Sequence, residues 1–224
     1  AAEVMDLFEQ VANEAMEECN EKYQALCDRE QIEGIGKVKV LRYEEILHYA
    51  TIKLGEAEVN RMKQEVFCRD DWDDREKSLR IVDSLMIACQ ELTPATVLLF
   101  APPYYPAVNS SEHPIVKNAV ALLKEEIKKF ELTLDHIHYF NGICDLSYVN
   151  YEGNDEWLSF EKNTPVFGHT YSIPFKEMKQ LKAPVLNVGP FGKDAHQKTE
   201  RLHTSSAFVE MPVLLEKLIK SLID

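Results

Sequence analysis

The sequence predicts an α/β protein, and three observations carry that reading. Apolar residues recur every three or four positions over 3–30, 75–92 and 114–130, the period of an amphipathic helix. Short apolar runs, Thr96–Phe100 (TVLLF) and Pro184–Val188 (PVLNV), read as strands. The second half then alternates helix, strand, loop, helix, strand, loop, helix, with no internal repeat. A chain of 224 residues accommodates one large or two small domains and buries enough surface to fold without disulfide or metal staples.

The first helix, 3–30, carries an apolar stripe of Val4, Phe8, Val11, Ala15, Cys19, Tyr23 and Leu26, uninterrupted by Gly or Pro, and Gly34 and Gly36 are expected to end it. Residues 37–42 alternate Val38 and Val40 with polar neighbours, as a short strand does. Two helical stretches over 43–67 break near Gly55. The acidic cluster Asp70–Asp74 lacks the glycine and terminal glutamate of a calcium loop. It suits a helix N-terminus, where carboxylates meet the positive end of the macrodipole. The helix that follows ends before Pro94.

Ala101–Pro106 (APPYYP) cannot continue a sheet, because its three prolines lack N–H donors, and a domain boundary is expected there. Pro114 opens the next helix; Leu134–Phe140 reads as a strand, 150–170 as a polar loop, 174–181 as a short helix, and Pro212–Ile223 as the last helix.

Net charge is −13, from 25 Lys and Arg against 38 Asp and Glu. Residues 1–35 hold ten of the acids and only two bases. That balance argues against nucleic-acid binding and against docking on anionic membranes. No apolar run reaches the ~18 residues of a membrane span, and no signal peptide is visible, so a cytoplasmic protein is expected. The five cysteines form no CxxC pair and read as reduced thiols.

Candidate chemistry lies near the C-terminal ends of the expected strands, where open α/β sheets bind ligands. His136 and His138 sit two apart, on one face of a strand, without a third ligand beside them. Asp145 follows the 134–140 strand within GICDLS, suited either to substrate contact or to an Asx turn. His196, Glu200 and His203 follow Gly189-Pro190-Phe191-Gly192, and would fall on one face if 193–203 were helical. No GxSxG elbow, Walker loop or dinucleotide fingerprint is present.

Residues 184–203, PVLNVGPFGKDAHQKTERLH, resemble the C-terminal histidine motif of the zinc-hydrolase family that includes aminoacylase, carboxypeptidase G and succinyl-diaminopimelate desuccinylase. APPYYPAV (101–108), CDLSYV (144–149) and YSIPFKEMKQL (171–181) extend the likeness to one branch of that family. The resemblance implies a zinc-exopeptidase-like catalytic domain, with helices packed on a mixed sheet, and a largely helical α+β lid. Residues 1–106 would then be a lid and dimerisation portion, and 107–224 the C-terminal part of the catalytic domain.

On that template His196 is a zinc ligand, while Glu200, Asp145 and His203 are supporting or substrate-binding residues. The implied substrate is a small acyl-amino acid or short peptide of arginine or amino-acid catabolism. The family's remaining ligands, a His in an HxD motif, a bridging Asp and a Glu-Glu pair, have no match in the 224 residues. The expectation is therefore the C-terminal portion of a longer enzyme, needing its N-terminal portion to hold one or two zinc ions and inactive alone. A homodimer through the lid is also implied. The alternatives are a non-catalytic binding or dimerisation module, and a small-molecule regulatory domain built from 36–106.

Overall fold

Two apolar tetrapeptides far apart in the chain pair as parallel strands. Lys39–Arg42 (β1) lies beside Ala95–Leu98 (β2), in register from Lys39 with Ala95 to Arg42 with Leu98. The computed structural model describes residues 1–138, 145–151, 153 and 157–223. It divides the chain into two units, Ala1–Tyr104 with Gly153–Phe175, and Tyr105–Glu152 with Lys176–Asp224.

In the first unit, three helices form the crossover from β1 to β2: α2 (Tyr43–Leu54), α3 (Glu56–Phe67) and α4 (Asp74–Ala88). Gly55, at φ 86°, turns the chain between α2 and α3 with a backbone that residues bearing a Cβ adopt at a cost. Asp73 caps α4 by accepting from the Glu76 N–H at 2.8 Å, which places the acidic cluster at a helix N-terminus as expected. The apolar faces of the three helices meet in a core of Tyr43, Ile46, Ala50, Val59, Ile81, Leu85 and Cys89.

The helix α1 (Ala2–Glu30) lies along β1 and β2, but with a different face inward from the one its largest apolar residues mark. Met5 and Cys27 are buried and Ala12, Met16, Asn20 and Tyr23 half-buried, whereas Val4, Phe8, Val11 and Leu26 are exposed. Hydrogen bonds set this rotation. Asn20 donates through Nδ2 to the Val38 carbonyl at 3.0 Å and accepts the Val38 N–H at 2.9 Å. The Tyr23 hydroxyl accepts the Ile35 N–H at 3.1 Å. Arg42 adds ion pairs to Asp6 and Glu9.

The helix also ends earlier than its glycines suggest, at Gln31 in the left-handed region (φ 52°). Gly34 serves close approach instead: a Cβ there would stand 3.2 Å from the Tyr23 ring.

The stretch 150–170, expected to be a polar loop, contributes the most buried aromatic of this unit. Helix α6 (Trp157–Lys162) carries Phe160, which is fully buried. Tyr104 stacks on Phe160 at 4.4 Å, and Phe100, Phe167 and Phe175 surround the ring. Its anchor is Asn163, also fully buried. The amide accepts the Glu44 N–H at 3.2 Å and donates to the Glu44 carboxylate and the Ser159 carbonyl, both at 3.1 Å. The Asn163 carbonyl takes the Phe100 N–H at 2.8 Å.

In the second unit, α5 (Pro114–Glu126) packs on α8 (Met211–Ile223) through Ala119, Leu123, Leu214 and Leu218. The expected strands at 134–140 and 184–188 are not found: the described residues 134–138 and all of 184–188 belong to no sheet. Leu134, Leu186 and Val188 pack on the α5–α8 core instead. An apolar run marks burial; a strand also needs a neighbouring backbone, and here the Val185 N–H finds the Ser110 hydroxyl.

The second unit also includes residues from α7 (Phe175–Leu181) and a short antiparallel pair, β3 (Gly192–Lys193) with β4 (Arg201–Leu202). Two small two-stranded sheets among many helices are compatible with the α/β class, but the larger mixed sheet is absent among the described residues. Among these residues Cys19, Cys27, Cys68 and Cys89 are free thiols, and no helix is long and apolar enough to cross a membrane.

Two outcomes test this packing. Asn163→Ala strands buried donors and acceptors of Glu44 and Ser159, and is expected to lower unfolding free energy by about 2–3 kcal/mol in urea titrations. Lys53, the Glu91 backbone N–H and Tyr49 hold the Glu91 carboxyl down at about 2 from its usual 4.5. Because the folded value is the lower one, the stability from this carboxylate is complete above pH 4.5 and disappears as pH falls through about 2. Thermal melts should show Glu91→Gln less stable than the native protein at neutral pH, with the gap closing across that window.

Candidate functional site

The polar segment after Gly189-Pro190 is a hairpin and not a helix. Gly192 makes the β3–β4 pairing possible, since a Cβ there would stand 2.9 Å from the Arg201 carbonyl oxygen. The loop 194–200 is turned by Gln197 N–H to Asp194 O at 3.0 Å and Glu200 N–H to Gln197 O at 3.1 Å. Asp194 pairs with Arg201 across its mouth at 2.9 Å. This pair is largely exposed and adds little stability, so the backbone turns and Gly192 define the loop.

His196 sits in that loop at φ 64°, exposed, with neither ring nitrogen hydrogen-bonded to a described residue. Its imidazole is thus free to take a ligand. Glu200 is exposed on the same loop, beside an open hollow of about 510 Å³ lined by Asp194, Lys198, Thr199, Glu200 and Arg201. The helical face expected for His196, Glu200 and His203 does not exist; the hairpin keeps the first two on its loop and sends His203 beyond β4.

His203 has a structural task. Its Nδ1 accepts the Ser206 N–H at 3.2 Å, its backbone N–H donates to the Phe191 carbonyl at 2.9 Å, and the Ser206 hydroxyl accepts the Phe191 N–H at 3.0 Å. These bonds tie the hairpin to the π-helical turn Ser206–Glu210 that leads into α8. A neutral imidazole accepting at Nδ1 carries its proton at Nε2, so His203 cannot ligate a metal through Nε2 while it holds this turn.

The Asp145 side chain and Cys144 lie outside the described residues; the Asp145 backbone begins a 3₁₀ turn through Tyr148. His136 and His138 stand with ring centroids 4.6 Å apart, and His138 Nδ1 shares a 2.7 Å hydrogen bond with the Ser111 hydroxyl. Among the described residues no group of three His, Cys, Asp or Glu side chains is placed to hold a metal. Catalytic zinc takes about three protein donors. The described residues therefore do not by themselves make a zinc site: His196 and Glu200 offer at most two donors.

The first unit has a second feature that the sequence did not disclose. An open groove of about 500 Å³ runs between α3 and α4, walled by Leu54, Met62, Val66, Trp72 and Ile87. Its charges are matched internally. Arg61 is raised above its ordinary pKa by the Glu58 carboxylate and Glu65, and Asp71 is held low by Arg69. The Arg69 and Arg80 guanidiniums lie 4.2 and 5.4 Å from the Trp72 ring. With these charges paired, the apolar and aromatic side chains form the floor of the groove. The only signal in the sequence is Trp72 among charges, because the groove arises from two helices packing.

The chain is 35% identical over 218 residues to the uncharacterized protein YqjN of Bacillus subtilis (strain 168), covering 96% of its own length. To Protein RocB of the same organism it is 25% identical over 236 residues, covering 97%. It spans 40% of the length of each. No protein-family model matches the chain, and no solved structure matches it significantly.

Gly192→Ala would drive a methyl group into the Arg201 carbonyl. It is expected to open the hairpin at a cost of about 1–3 kcal/mol. Amide hydrogen exchange should be faster at His203 and Ser206, with α5 protection unchanged.

Proposed function

We propose that the chain is the C-terminal portion of a metal-dependent amide hydrolase acting on a small acyl-amino acid or short peptide in arginine or amino-acid catabolism. The observation that carries this reading is His196. Its imidazole is free and exposed, on a loop that follows the Gly-Pro motif resembling the zinc hydrolases, in a chain similar to RocB along almost all its length. In this reading His196 contributes one ligand of a zinc site, and the rest of a longer protein contributes the others. Zinc there would act as a Lewis acid on the amide carbonyl. Glu200 lies on the same loop and orients ligand or substrate; His203 holds the hairpin against the turn before α8. The protein would work in the cytoplasm.

A second reading is favoured by the groove of the first unit. Its volume of about 500 Å³, lined by Trp72 and apolar residues together with Glu58, Arg61, Glu65 and Arg69, is the size of a small-molecule site, and a binding or regulatory module would use it without any metal.

Zinc per chain, measured by inductively coupled plasma mass spectrometry, separates the two. The 224-residue chain and its longest natural parent are each compared with their His196→Ala forms. One or two zinc ions on the parent, lost or halved in the variant and absent from the shorter chain, is the expected result. A parent that binds no zinc under replete conditions overturns the hydrolase reading and leaves the binding module.

A further inference from the structure

The histidine pair of the second unit is used by neither reading of the function. The rings of His136 and His138 stand 4.6 Å apart between centroids, inclined at 54° to one another. Two imidazoles bound to one metal ion through nitrogens roughly 2 Å from it have ring centres about 4.5 Å apart at a right angle, and about 5 Å apart at a tetrahedral angle. The observed spacing is that of neighbouring corners of a square-planar site.

One of the two rings is anchored from outside. The Ser111 hydroxyl shares a 2.7 Å hydrogen bond with His138 Nδ1, which engages that nitrogen and leaves Nε2 for a ligand. With the hydroxyl as acceptor, the imidazole is neutral and its lone pair lies at Nε2, the form that binds a metal. His136 has no hydrogen-bond partner at its ring among the described residues. The loop that supplies Ser111 also brings a carboxylate. Glu112 is bonded to Lys117 at 2.5 Å and is close enough to His138 for a positive charge there to be felt.

We infer that His136 and His138 form a binding site for a divalent transition-metal ion of tetragonal preference, copper(II) or nickel(II), with water at the remaining positions. Copper(II) stands highest among these ions in affinity for nitrogen donors, so two neighbouring imidazoles hold it where zinc would need a further protein donor. The site shares no residue with the His196 loop and does not depend on the hydrolase reading.

The test titrates Cu²⁺ into the 224-residue chain by calorimetry, after alkylation of the exposed thiols Cys19 and Cys68. The tightest ion should bind through two imidazole nitrogens, counted from the nitrogen splitting in electron paramagnetic resonance. Zn²⁺ should bind about tenfold or more weakly. Ser111→Ala keeps both ligands and should lower Cu²⁺ affinity by about tenfold, and His136→Ala or His138→Ala by at least as much, each with one nitrogen lost from the spectrum. His196→Ala should change nothing, and circular dichroism should be the same for all four variants. No binding of Cu²⁺ overturns the inference. So does an affinity that survives both His136→Ala and His138→Ala or falls with His196→Ala, because the ion then lies elsewhere. An affinity indifferent to Ser111→Ala means an adventitious ion only, caught by two surface imidazoles, and overturns the inference as well.

Discussion

The first unit depends on one non-local constraint, the parallel pairing of β1 with β2. Two strands of four residues are far too little sheet to persist in water alone. A parallel pair also requires a crossover, and here it consists of three helices whose faces converge on Ile46, Ala50, Ile81 and Leu85. Strands and helices therefore stabilise one another: the ladder sets where the crossover starts and stops, and the helical core keeps the ladder dry. The aromatic cluster about Phe160 joins 153–175 to the same unit through Asn163, whose buried amide leaves no freedom in how α6 meets the start of α2.

Polar groups, more than apolar area, decide orientation in this molecule. By area alone, α1 would turn Val4, Phe8 and Val11 inward. It turns Asn20 and Tyr23 inward instead, where Asn20 bonds both backbone groups of the part-buried Val38 and Tyr23 accepts the Ile35 N–H on the return to β1. The result is a helix with one face committed to this unit and another, richer in large apolar residues, that is exposed among the described residues.

The hairpin of the second unit follows the same logic. Gly192 admits the Arg201 carbonyl, and His203 and Ser206 consume the local donors and acceptors, so His196 is the imidazole of this region left without a described partner. His196 itself is held in a left-handed conformation on that loop and is exposed.

The elements with local signals were legible in the sequence. The amphipathic periods of α1, α4 and α5, the break at Gly55, the acidic helix start within 70–74 and the proline start of α5 all depend on residues within a few positions of one another. Only the tertiary structure decided which face of α1 is buried, that 153–175 belongs to a core and not to a loop, that 184–188 packs on helices and not in a sheet, and that His196 and His203 part company across a hairpin. Each of those outcomes is settled by a partner distant in sequence: Val38 for Asn20, Glu44 for Asn163, the α5–α8 pair for Leu186, Phe191 for His203. Periodicity reports that a residue is to be buried or exposed. The identity of its partner, and with it the geometry of a site, exists only once the chain has closed on itself.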